Sequence, residues 1–209
     1  MKILISCRSY YQTSYNEQRD CIDQRLIEWV IFLGFEPIII PNVFGQKKNL
    51  QQLKNFLKSI NPSGLILSGG EDFGINKKRD FLEKNLLNYF LKKKKPILGI
   101  CRGFQLVCKN FGSKLIKANE KVKKKYNIQI NDKFKLKKKI IKTTCYFNFS
   151  INRIPNNFDL VGFNQIKKIS PWMIKSKDNL CECWMIHPER EKKFNFILAS
   201  RAKNLFLKK

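Results

Sequence analysis

Three groups of residues in this chain have the types and spacing to do chemistry together. The first is Cys101, set in Gly99-Ile100-Cys101-Arg102-Gly103 between an apolar run and a helical pattern. A nucleophile at such a strand-to-helix turn stands above the sheet, and the backbone N–H groups after it point at whatever it attacks. A helix N-terminus also favours thiolate over thiol. The second group is the chain's one histidine, His187, followed after a proline by Glu189. A cysteine nucleophile near neutral pH uses an imidazole to take its proton, and the imidazole uses a carboxylate to fix its tautomer. Any imidazole partner of Cys101 is therefore His187, with Glu189 placed to steer it. The third group is Gly69-Gly70, a turn after the apolar Leu65-Ile66-Leu67.

Taken singly, a cysteine in an apolar stretch is core and a lone histidine is structural. Their joint occurrence at three strand ends favours catalysis. Cys181, Cys183 and His187 lack a fourth ligand at zinc spacing, and strand alternation puts both thiols on one face, so neither metal nor cofactor is expected. Cys7, Cys21, Cys108 and Cys145 are expected to be packing residues.

The elements that must position these groups alternate. Residues 2 to 7 read as a strand, and Ser9 to Asn16 as a polar loop whose Tyr10, Tyr11 and Tyr15 are either lid or surface. From Glu17 the pattern turns helical, with Ile22, Leu26, Trp29, Val30 and Leu33 on one face and Gly34 as C-cap. Glu36 to Ile40 reads as a strand, Leu50 to Ile60 as a helix, Gly64 to Leu67 as a strand and Arg79 to Leu91 as a helix. Ile97 to Ile100 is the strand before Cys101, and a helix from Phe104 ends near Gly112. Such alternation predicts an α/β fold: a mostly parallel sheet covered by helices on both faces, a flavodoxin-like three-layer arrangement, with ligands gathering at the carboxyl ends of its strands. Lys117 to Lys142 reads as an exposed lysine-rich insertion with a strand at Tyr126 to Ile130. Thr143 to Ile151 and Leu160 to Ile169 read as strands of a small antiparallel extension. Cys181 to Ile186 is a late strand delivering His187, and a helix from Phe194 to Phe206 closes the core.

At 209 residues and 43% apolar content, one domain over 1–209 is expected. No run approaches the roughly 18 apolar residues of a membrane span, so no membrane association is expected. The apolar run before Arg8 is too short for an export signal. Seven scattered cysteines then point to reduced thiols in a cytoplasm. The net charge of +26 is mostly lysine spread along the chain, without a zinc-finger, helix-turn-helix or RNP pattern, so nucleic acid is not an expected partner. A field that draws in a small anionic substrate stays open, as does a homo-oligomer.

The motifs resemble a known family. Pro96-Ile97-Leu98-Gly99-Ile100-Cys101-Arg102-Gly103-Phe104-Gln105, Ile66-Leu67-Ser68-Gly69-Gly70-Glu71-Asp72, Arg79-Asp80-Phe81-Leu82-Glu83 and Trp184-Met185-Ile186-His187-Pro188-Glu189-Arg190-Glu191 resemble the class I glutamine amidotransferase-like hydrolases, which include γ-glutamyl-γ-aminobutyrate hydrolases. The resemblance implies a Cys-His-Glu triad of Cys101, His187 and Glu189. It further implies an oxyanion hole from the backbone N–H groups of Gly70 and Arg102, with Gln105 holding the glutamyl moiety of a small-molecule γ-glutamyl substrate. Ile5-Ser6-Cys7-Arg8 and Arg19 to Arg25 look like a narrower branch found among surface-polysaccharide genes, which implies a nucleotide-linked substrate. The α-carboxylate and ammonium of a glutamyl group ask for ionic partners; Arg8, Arg19, Asp20 and Arg25 are the candidates. A basic pocket for the leaving group would draw on Lys77, Lys78 or the central lysines. Two other functions compete with the hydrolase: a glutaminase component feeding a separate synthase, and a non-enzymatic polyanion binder. The chain departs from the family in having no histidine in its central region and Ser113 where glycine is frequent.

Overall fold

The computed structural model describes residues 1–130, 139–164 and 171–207. In chain order its main elements are β1 (Lys2–Ser6), β2 (Arg8–Gln12), β3 (Glu17–Cys21), α1 (Gln24–Phe32), β4 (Glu36–Ile40), α2 (Leu50–Ile60), β5 (Gly64–Leu67), α3 (Lys77–Lys92), β6 (Ile97–Ile100), α4 (Arg102–Asn110), β7 (Leu115–Ile130), β8 (Lys139–Ile151), β9 (Phe158–Asn164), β10 (Pro171–Ser176), β11 (Cys181–Trp184) and α5 (Phe196–Leu207).

Nine of these strands form one sheet in the order β4-β1-β5-β6-β11-β10-β9-β7-β8 among the described residues. The first five are parallel: Ser6 pairs with Ile40, Leu67 with Gly99, and Ile100 with Trp184. Every residue of β5, β6 and β11 is buried, as continuous apolar strands covered on both faces must be. This parallel register brings the carboxyl ends of β1, β5, β6 and β11 to one edge, so the chain leaving each meets the others there. The α1 face expected from the periodicity is the buried one, with Leu26, Trp29, Val30 and Leu33 inward and Trp29 edge-on to Trp184 at 6.3 Å. Gly34 ends it at φ 83°.

The other four strands, β10, β9, β7 and β8, continue the same sheet antiparallel. The stretch from Lys117, expected as an exposed insertion, is largely the long strand β7. Its Ile128 and Ile130 are buried against neighbours on both sides, β8 and β9, which lysine-rich composition conceals. Residues 131–138 lie outside the described residues, as do 165–169 of the strand expected at Leu160 to Ile169. The β8 strand doubles back far enough for Cys145 to bridge to Ile186, next to His187.

A second departure lies near the start. Ser9 to Asn16 is not a loop, and Glu17 does not open a helix; β2 and β3 pair as a hairpin, Arg8 opposite Cys21 and Gln12 opposite Glu17. The helix starts only at Gln24, because Asp23 is extended and accepts a hydrogen bond from the Arg25 N–H at 3.0 Å as its N-cap.

Candidate active site

Cys101 directly follows β6 and adopts φ 52°, ψ −102°, a left-handed backbone that side-chain-bearing residues rarely occupy. The conformation is over-determined. The Cys101 N–H donates to the Trp184 carbonyl at 2.7 Å, and its carbonyl accepts from the Gln105 N–H at 3.1 Å. The flanking glycines allow α4 to press onto the sheet: a Cβ on Gly103 would lie 2.1 Å from the Leu67 carbonyl oxygen, and one on Gly99 would lie 2.8 Å from the Gly103 backbone. Arg102 opens α4, so its N–H is one of the donors a helix leaves without an intrahelical acceptor.

A buried charge network braces this elbow. Glu83 of α3 is fully buried and accepts from Ser6 Oγ at 2.7 Å and Arg79 Nε at 2.9 Å; its other oxygen pairs with Arg102. Arg102 also pairs with Asp80. Arg79 pairs with Glu71 at 2.7 Å and donates to the Ser68 and Gly69 carbonyls, both at 3.0 Å. Helix α3 thus ties the Gly69-Gly70 turn to the Cys101 elbow. Burial, with Arg79 adding to it, lowers the Arg102 guanidinium to about 10 against the pull of Asp80 and Glu71, so it remains a cation at neutral pH. Gly70 has φ 150°, and a Cβ there would sit 2.2 Å from Arg79 Nη1.

His187 follows β11, and its Nδ1 lies 2.7 Å from Glu189 Oε1 with both residues 3% exposed. Burial alone would lower the imidazole pKa, but the Glu189 carboxylate and the Cys101 sulfur outweigh it and raise it to about 10. The ring is therefore protonated at neutral pH. Its Nε2 and Glu189 Oε2 make no hydrogen bond among the described residues. A Cβ on Gly69 would lie 2.9 Å from His187 Cε1 and 3.5 Å from Cys101 Cβ, so the ends of β5, β6 and β11 meet at one point. The Cys101 thiol rests on the Tyr146 carbonyl of β8 at 3.1 Å, and the Tyr146 ring lies edge-on to His187 at 5.9 Å.

The antiparallel ribbon holds the turn that carries His187. The His187 N–H donates to Thr144 O at 3.0 Å. Glu191 accepts from the Thr144 N–H and hydroxyl, both at 2.8 Å, and pairs with Lys125 at 2.8 Å. Partial burial pushes the Glu191 carboxyl up, but the bonds from Lys125 and Thr144 prevail and hold it below its ordinary value.

The other expected site residues divide. Gln105 is buried, its amide donating to Phe149 O at 2.8 Å, four residues along α4 from the thiol. Arg8 lines a small cleft with Asp23, Gly69, His187, Glu189 and Arg190. Arg19 pairs with Glu17 at 2.7 Å on the exposed hairpin, and Arg25 pairs with Glu28 and lies over Phe194, both outside that cleft. Asp20 holds Asn42 by two bonds of 2.8 and 2.7 Å. Cys7, Cys108 and Cys145 are buried as expected, whereas Cys21 is half-buried and borders the cleft. Cys181 and Cys183 share a strand face with sulfurs 3.6 Å apart, and no group of metal-ligating side chains occurs among the described residues.

Sequence reasoning assigned no part to Tyr146, Glu83 or Glu191. Arg79 and Glu83 carry a readable signal, the four-residue spacing of a helical ion pair. Glu191 and Thr144 are 47 residues apart, and nothing local announces their contact. Together, the elbow thiol, the steered imidazole and the two turns can perform acyl transfer through a thioester.

A profile of the family described as glutamine amidotransferase class-I matches residues 18–195. The chain is 29% identical, over 94% of its length and 94% of the relative's, to a γ-glutamyl-CDP-amidate hydrolase from Campylobacter jejuni. It is 30% identical, over 68% of its length and 71% of the relative's, to the glutamine-hydrolyzing component of a GMP synthase from Methanococcus vannielii. Among solved structures it is similar to a Thermoplasma acidophilum protein, with a TM-score of 0.72 at 21% identity, covering 99% of this chain and 92% of that one. It is also similar to a glutamine amidotransferase from Thermotoga maritima, with a TM-score of 0.62 at 14% identity, covering 98% and 92%.

Proposed function

From the premise that this chain belongs to the class I glutamine amidotransferase family, we propose that residues 1–209 form one domain, a cytoplasmic hydrolase that releases glutamate from γ-glutamyl-CDP-amidate, leaving cytidine diphosphoramidate for surface-polysaccharide modification. The observation that carries the reading is that Cys101, at its left-handed elbow, and His187, whose Nδ1 is 2.7 Å from Glu189 Oε1, both border Gly69, where a Cβ would lie 2.9 Å from His187 Cε1 and 3.5 Å from Cys101 Cβ.

The Cys101 thiolate attacks the γ-carbonyl, and the oxyanion is held by the N–H groups of Gly70 and Arg102. A missing donor at such a position costs on the order of 10²- to 10³-fold in rate. His187, already protonated, gives its proton to the leaving nitrogen, and Glu189 stabilises the charge while the ring carries it. The neutral ring then takes a proton from water, which attacks the thioester and frees glutamate and the Cys101 thiolate, with the ring protonated as at the start. Gln105, and one or more of Arg8, Arg19 and Arg25, hold the glutamyl end.

A second reading, a glutaminase component that passes ammonia to a separate synthase, is favoured by the similarity to the GMP synthase component from Methanococcus vannielii. Purified protein incubated with γ-glutamyl-CDP-amidate, γ-glutamyl-γ-aminobutyrate and glutamine separates the two. The hydrolase reading expects glutamate release from the first substrate without any partner and its loss in Cys101→Ala. Equal release by both proteins would remove Cys101 from the mechanism, and turnover of glutamine alone, only with a partner present, would favour the second reading.

A further inference from the structure

The cleft beside His187 is not the place of the thiol: it is bounded by Arg8 and Asp23 at the base of the β2–β3 hairpin, by Gly69, and by His187, Glu189 and Arg190, while Cys101 is not part of its lining. The glutamyl chain must reach Cys101, but the leaving nitrogen must reach His187, which supplies its proton. Whatever is attached to that nitrogen extends past the imidazole, and this cleft is the space that adjoins it there.

Its charges do not balance. His187 is paired with Glu189 at 2.7 Å, and Arg190 Nε lies 3.5 Å from Asp23 and 3.8 Å from Glu189. Glu189 is taken up by His187 and Asp23 lies beside Arg190, while Arg8 has no carboxylate partner among the described residues. Asp23 is further occupied by capping α1. The guanidinium carbon of Arg190 lies 4.9 Å from the centre of the Tyr146 ring. The Tyr146 carbonyl accepts from the Cys101 thiol, so one residue of β8 touches both the reacting sulfur and Arg190. Two arginines lining one cleft, one of them without an acidic partner, suit the oxygens of a phosphoryl group.

We infer that this cleft is the leaving-group subsite and takes a phosphoryl anion held between Arg8 and Arg190. The assignment rests on the hydrolase reading above, and it moves Arg8 from the glutamyl end of the substrate to the opposite end.

Two measurements on the full-length protein test it. In Cys101→Ala, which cannot turn over, CDP binding is read by titration calorimetry. The expected result is saturable binding, weakened at least fivefold by adding Arg8→Gln or Arg190→Gln and weakened by salt, with Arg8→Lys intermediate because it keeps the charge and loses the fork. In the enzyme with Cys101 intact, kcat/KM is compared for γ-glutamyl-CDP-amidate and glutamine. Arg8→Gln is expected to reduce the preference for the phosphoryl substrate at least tenfold. Absence of CDP binding, binding unchanged by Arg8→Gln, or an equal loss on both substrates overturns the subsite. Because the CDP titration needs no turnover, a wild type that releases no glutamate would defeat the hydrolase reading alone.

Discussion

The two halves of the candidate site are held in place by different means. The Cys101 elbow is a contiguous stretch, β6 into α4, and its neighbours in the sheet, β5 and β11, fix it by register. Its electrostatic support is dry, with Arg79 and Glu83 both at 0% exposure and Arg102 at 2%. The His187 turn is held from across the sheet, by Thr144 and Lys125 of the ribbon, and the Lys125 side chain is 50% exposed. The nucleophile is thus set by a fully buried network, whereas the turn of the imidazole is held through Glu191, whose bonds to Thr144 are buried and whose pairing with Lys125 is reached by water and salt. Buried networks resist the loss of any member because each leaves an uncompensated charge. Pins shared with solvent weaken by degrees.

The contrast is broken most forcefully at Glu83. Glu83→Ala leaves Arg79 and Arg102 without their shared carboxylate and is expected to destabilise the fold by about 3–5 kcal/mol, read by urea unfolding. A loss below about 1 kcal/mol would show that the network is not the support described.

A smaller effect follows from His187. Its pKa is raised from the ordinary 6.5 to about 10, so the stabilisation it contributes is complete below about 6.5 and fades as pH rises toward 10. Glutamate release at limiting substrate is accordingly expected to keep its activity well above pH 7 and to fall only as pH approaches 10. Glu189→Gln, which removes the first of the two groups raising the imidazole, should move that fall to lower pH. An alkaline limb near 6.5 in the unaltered protein would contradict the pairing.

The smallest effect is expected at the ribbon. Glu191→Gln keeps the shape but loses the charge, which at a half-exposed lysine partner is worth about 0–1 kcal/mol, so unfolding should change little. Activity should drop more than stability does, several-fold in kcat, because the turn bearing His187 loosens. If unfolding free energy falls by several kcal/mol instead, the ribbon belongs to the core and the two halves are not supported differently.

What could be read from the sequence follows the same division. Glu36–Ile40, Leu50–Ile60, Gly64–Leu67 and Ile97–Ile100 have the boundaries their patterns announce, because Gly64–Leu67 and Ile97–Ile100 are short buried apolar runs, Leu50–Ile60 has helical periodicity closed by Asn61-Pro62, and Glu36–Ile40 closes on Pro41. The meeting of Cys101, His187 and Glu189 was legible because each stands at the end of a recognisable strand or just beyond it. The β2–β3 hairpin was not, since its residues face solvent and no burial periodicity marks them. Of β7 only Tyr126 to Ile130 could be read, because lysines crowd the rest with few apolar residues, and β10, a short strand opening on Pro171, could not. Pairing across the sheet decides these strands, and local composition carries no trace of it.

The bridge from Cys145 to Ile186 bears on the order in which the molecule is assembled. The elbow takes one sheet neighbour, β5, from close by in the chain, but β11, whose Trp184 carbonyl receives the Cys101 N–H, comes late in the chain together with the imidazole, and β8 must fold back upon them. Contacts of such sequence separation form late. A chain caught part-way therefore has a thiol without its acid and base, and chemical competence arrives with the last strand.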